Sequence, residues 1–125
     1  MLRLLVIDDD VAHSNRIVRR LSGAGYEVHS AINGSHGLRM LIKKQFDLLI
    51  TEIVMPEKDG LETISEIRRK GVSIPIIAMS GGGRIGPSYY LKMAQVFGAD
   101  RMLLKPICIE ILLPIIHELV GKDER

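Results

Sequence analysis

Tryptophan is absent, and two phenylalanines and three tyrosines bring aromatic residues to only 4% of the chain. So few rings leave little on which the bases of single-stranded nucleic acid could stack. A single cysteine, Cys108, excludes an internal disulfide, and no CxxC pair or closely spaced Cys/His set offers a zinc site. A reducing cytoplasm is the expected location. Apolar runs are cut by Lys, Asp, Glu, Gly or Pro well short of the ~18 residues a membrane span needs. The N-terminus, MLRLLVIDDD, ends its short apolar run in three acids, unlike a leader peptide with its cleavage site. Neither charge dominates. Seventeen Lys and Arg against 15 Asp and Glu leave +2, too little to draw the chain to nucleic acid or to an anionic membrane. Internal repeats, low-complexity tracts and linkers are also missing ahead of the C-terminal GKDER.

What is present is the composition of a packed domain. At 125 residues, 46% apolar and 26% charged, the chain is long enough for one core, and residues 1–125 are expected to form a single domain. Strand-like apolar runs alternate with helix-like segments five times, the pattern of an α/β fold with a doubly wound parallel sheet and about five helices. The strands fall at Leu2–Ile7, Glu27–Ala31, Leu48–Ile53, Ile74–Ser80 and Arg101–Leu104. LRLLVI, DLLITEI and IPIIAMS are nearly continuous apolar runs, as expected where helices cover both sheet faces; the other two strands suit the edges.

Helices are expected over Ser14–Ala24, from Asn33-Gly34 onward, over Leu61–Lys70 and Pro87–Phe97, and from near Cys108 to Val120. In the second, Leu38, Leu41 and Ile42 would face inward. The last is apolar around more of its circumference than one buried stripe needs, and Pro114 predicts a kink or a late start there.

In such a sheet the carboxyl ends of the strands open onto one edge, where ligand sites form. Right-handed crossovers around a central first strand would put the first, third, fourth and fifth strands side by side, and a five-stranded sheet of flavodoxin-like order 2-1-3-4-5 is expected. Asp8, Asp9 and Asp10, Glu52, Ser80 and Lys105-Pro106 then end neighbouring strands. Carboxylates gathered there suit a hard divalent cation, and a hydroxyl with an ammonium suits phosphoryl oxygens. Taken singly, the acids would merely cap a helix and the lysine pair with an acid.

The Gly81-Gly82-Gly83 run lacks the Gly-Lys-Ser/Thr ending of a P-loop and reads as a mobile loop. His13, His29, His36 and His117 are scattered and read as surface or packing residues. Cys108 has no evident activating partner.

LLVIDDD at the first strand, DLLITEIVMPEKDG from Asp47 to Gly60, IPIIAMS, and GADRMLLKP from Gly98 to Pro106 together resemble the receiver domains of two-component response regulators over essentially the whole chain. The resemblance implies that Asp8 and Asp9 are an acidic pair for Mg²⁺, with the Val54 backbone carbonyl and position 52 completing the metal set. It likewise implies that Ser80 and Lys105 contact a phosphoryl group. The family places its phosphate-accepting aspartate four residues before Pro56, where this chain has Glu52.

Intrinsic acidities of about 3.9 and 4.3 are too close for ionisation to matter. The extra methylene displaces the carboxylate by roughly 1 Å, and misplacement on that scale can cost about a hundredfold in rate. Glu52 is therefore expected to accept phosphate poorly or not at all, and Mg²⁺ to bind weakly or not at all. Its single charge would imitate only in part a phosphoryl group carrying about −1.5 to −2. Met102 stands where many receivers carry a switching Tyr or Phe, three residues before the lysine, so a different readout is expected.

The resemblance implies a non-enzymatic signalling domain partnered by a histidine kinase or another signalling protein. Its effector contacts or self-association would use the fourth helix, fifth strand and fifth helix, with Leu112 and Ile116 as candidates on that face; neither nucleic acid nor membrane is an expected partner. One alternative is an ordinary receiver into which glutamate has been introduced at position 52. Another is a small Mg²⁺-dependent phosphohydrolase built on Asp8-x-Asp10, against which stand Ala12 and the lack of chain for a cap.

Overall fold

The computed structural model describes residues 1–56, 58–81 and 86–121. Glu57, the Gly82–Ile85 part of the glycine-rich loop and the last four residues of GKDER lie outside them.

The strands are β1 (Arg3–Ile7), β2 (Glu27–Ala31), β3 (Leu48–Glu52), β4 (Ile76–Ser80) and β5 (Arg101–Leu104). All pair in parallel in the order β2-β1-β3-β4-β5. They alternate with α1 (Val11–Gly23), α2 (Gly34–Lys43), α3 (Gly60–Arg69), α4 (Pro87–Phe97) and α5 (Ile109–Val120). The two weakly apolar strands, β2 and β5, do form the edges.

Because strand side chains alternate between faces, each central strand feeds two cores. Leu4, Val6, Leu48, Ile50, Ile77 and Met79 pack with Ile17 and Leu21 of α1 and Leu112 and Ile116 of α5. Leu5, Ile7, Leu49, Ile76 and Ala78 face the other way, toward Leu38 of α2, Ile64 and Ile67 of α3 and Ala94 of α4. Every apolar residue of β1, β3 and β4 is buried, which accounts for the unbroken apolar runs.

Three helices are capped by a side chain that accepts from a backbone amide of the first turn: Asp10 from His13, Asn33 from His36 and Asp59 from Glu62. The Asp10 cap starts α1 three residues ahead of the predicted Ser14, since Val11, Ala12 and His13 fall outside the apolar stripe but inside the first turn. α4 begins on Pro87 and ends at Gly98, whose φ of 118° is left-handed.

Other expectations fail locally. Ile42 is 73% exposed, because α2 turns only Leu38 fully inward. α5 runs from Ile109 to Val120 through Pro114 with no late start. Leu112 and Ile116 are wholly buried and belong to the core, not to an outer face, where Ile111 stands instead. Among the described residues no helix is long and apolar enough to cross a membrane.

Candidate functional site

Register brings the strand ends together. Ile7 pairs with Thr51, Glu52 with Met79 and Ser80 with Leu104, so Asp8 and Lys105 each lie one residue beyond a strand at the same edge. An open cleft of about 470 Å³ there is lined by Asp10, His13, Glu52, Val54, Gly81, Lys105 and Pro106. The Lys105–Pro106 peptide is cis.

Lys105 is the hub. Its Nζ donates to Glu52 Oε1 at 2.8 Å and to Asp8 Oδ1 at 3.2 Å, and both carboxylates are almost wholly buried. Burial alone would lower the lysine's proton affinity, but the bond to Glu52 and the nearby Asp8 charge outweigh it and hold Lys105 above its ordinary value. The Glu52 carboxylate folds back over the end of its own strand. Its Oε2 accepts the Ile53 amide at 2.8 Å and the Val54 amide at 3.1 Å. Two converging amides hold the longer side chain against the backbone that follows β3.

Asp8 is just as fully engaged. Oδ1 also accepts the Asp10 amide at 3.0 Å, and Oδ2 lies 2.7 Å from His13 Nδ1. Nε2 of the same ring accepts the Ile107 amide at 3.2 Å. The sequence pattern missed His13 because a lone histidine on α1 looks like any packing residue. The available signal was its place five residues after Asp8, which returns one helical turn to the strand end.

The predicted residues are not all at the cleft. Asp9 is exposed beside it, whereas Asp10 does line it and also serves as the α1 cap, the amide of His13 holding its carboxyl below the usual range. Ser80 is buried at the end of β4. Met102 is half-buried against the second core with Tyr90 and Leu91. Cys108 is exposed, its thiol donating to Glu110.

Strand order, register and this cleft agree with what family comparison finds, a match of residues 4–117 to the response regulator receiver domain. The chain belongs to that family. It is 32% identical to the DNA-binding dual master transcriptional regulator RpaA of Synechocystis, over all of this chain and 52% of that protein. It is 34% identical to response regulator MprA of Mycobacterium leprae, over 98% of this chain and 53% of the relative. The chain thus spans about half the length of these relatives. The receiver domain protein of Methanospirillum hungatei superimposes with a TM-score of 0.85 at 26% identity, covering 94% of this chain and 92% of that one. TrrA of Thermotoga maritima, crystallised with Mg²⁺ and BeF, gives 0.83 at 29% identity, covering 95% and 99%.

Receiver domains generally bind Mg²⁺. Among the described residues no group of three or more His, Cys, Asp or Glu side chains is placed to hold a metal ion. Asp8 and Glu52 instead spend their oxygens on an ammonium, an imidazole and three backbone amides. No buried side-chain nitrogen or oxygen among the described residues lacks a partner.

Proposed function

We propose that this receiver domain signals through protein contacts without using position 52 as a phosphate acceptor, and that Mg²⁺ binds its cleft weakly or not at all. The observation that supports this is the immobilised Glu52 carboxylate, one oxygen on two amides and the other on Lys105. In-line attack on phosphorus needs a lone pair aimed into open space at close range. Here Oε2 is taken up by two amides and Oε1 is turned toward Lys105. The same contacts supply Lys105 with an anionic partner in advance, which a transferred phosphoryl group would otherwise have brought.

Incubation with a small-molecule phosphodonor and Mg²⁺, followed by intact mass measurement, tests this directly. No phosphoryl adduct is expected, and Glu52→Asp is expected to gain one; stoichiometric labelling of Glu52 itself overturns the assignment. Upstream, a histidine kinase or another signalling protein is the fitting partner. Downstream, the exposed Val96 of α4, Leu104 of β5 and Ile111 of α5 supply apolar surface for an effector or a second copy. RpaA is named as DNA-binding; in this reading the domain described here makes no nucleic-acid contact. A cytoplasmic, non-enzymatic role accompanies it.

A further inference from the structure

We propose that His13 is a positioning residue that holds Asp8 in the cleft and passes the state of position 52 to the turn between β5 and α5. This rests on the receiver-domain reading above, with a change at position 52 as the perturbation, and it adds a route from the cleft to α5.

The ring lies between two partners of fixed polarity. An ionised carboxylate only accepts, so Nδ1 must donate to Asp8; a backbone amide only donates, so Nε2 must accept from Ile107. Together these specify the neutral Nδ1–H tautomer, because the bond made by one ring nitrogen sets the state of the other. His13 is buried, and an apolar side chain of similar size would fill the same space without joining either group.

Upstream of the ring, Asp8 shares the Lys105 ammonium with Glu52. A continuous polar path therefore runs from Glu52 through Lys105, Asp8 and His13 to the Ile107 amide. Its far end is mechanically coupled. The Ile107 side chain is packed into the same core as Ile109, Leu112 and Ile116, so a shift of the Ile107 backbone must be taken up by α5. Met102, where the family commonly has an aromatic switch, packs against the opposite core.

NMR of ¹⁵N-labelled protein tests the route. In the unsubstituted protein, long-range ring correlations are expected to report Nδ1–H for His13, and finding Nε2–H overturns the proposal without any substitution. Glu52→Gln is expected to shift the Ile107 amide resonance. In a His13→Leu background the same change should leave Ile107 unmoved while Ile53 and Val54, which contact position 52 directly, still respond. An Ile107 response of equal size in both backgrounds overturns it. A phosphoryl adduct on Glu52 would sink the proposed function while leaving these resonances to decide the His13 route.

Discussion

Lys105 is the one cation among the described residues that contacts both buried carboxylates of the cleft, and its removal would leave Asp8 and Glu52 as neighbouring anions. Breaking a buried ion pair on one side costs far more than the pair contributes, so Lys105→Met is expected to lower stability by about 3 kcal/mol, read from urea unfolding. The pH dependence has a definite sign. A lysine whose folded value is raised contributes stability that is complete below the unfolded value of about 10.4 and disappears as pH rises through the folded value. Urea midpoints of the parent protein should therefore fall more steeply than those of Lys105→Met as pH rises from about 10.4 through the folded value. Asp10 runs the other way: its lowered carboxyl helps the fold above the ordinary value of 3.8 and stops helping as acid protonates it. Most of these residues were legible as strand-end acids and a late lysine. His13 was not, because its one signal, a place five residues after Asp8, does not by itself tell a residue that bonds the carboxylate from one that packs.

At the scale of elements, the approach of α3 to the end of β3 decides where Glu52 sits. Gly60 opens α3 directly over that strand end, and a methyl group there would run into the Glu52 carbonyl and the Ile53 backbone. Since backbone cannot swing aside, Gly60→Ala is expected to cost ~1–3 kcal/mol and to shift the Val54 amide resonance. Pro114 in α5 gives the opposite prediction. It lies past the first turn and withholds an amide, so Pro114→Ala is expected to stabilise, by at most about 3 kcal/mol, as a rise in urea midpoint. Strand boundaries fall inside the sequence pattern by up to two residues, since Leu2 and Ile74 are buried apolar residues that precede β1 and β4. Helix starts moved toward their caps for a related reason: Asp10 and Asp59 act through backbone amides, which apolar periodicity does not register.

For the whole molecule, the two-faced sheet leaves α4, β5 and α5 at one edge with Val96, Leu104 and Ile111 exposed. Weak self-association through this face is expected, seen as a concentration-dependent shift in sedimentation. Ile111→Glu should abolish it with folding intact, whereas a charge at buried Leu112 should unfold the chain. A strict monomer at high concentration, unaffected by Ile111→Glu, would contradict it.

The alternation of five apolar runs with five amphipathic segments was sufficient for the class of fold, and the strand order needed the first strand to be taken as central. Burial on both sheet faces and right-handed crossovers leave few other arrangements. The acids, the hydroxyl residue and the lysine could be assigned to one edge because they sit at strand ends. Which oxygen meets which donor is a different kind of fact. It depends on side-chain directions and on backbone amides supplied by segments far apart in the chain, and these meet only after the core has packed. Glu52 turning back onto Ile53 and Val54, and His13 closing the gap between Asp8 and Ile107, belong to that second kind.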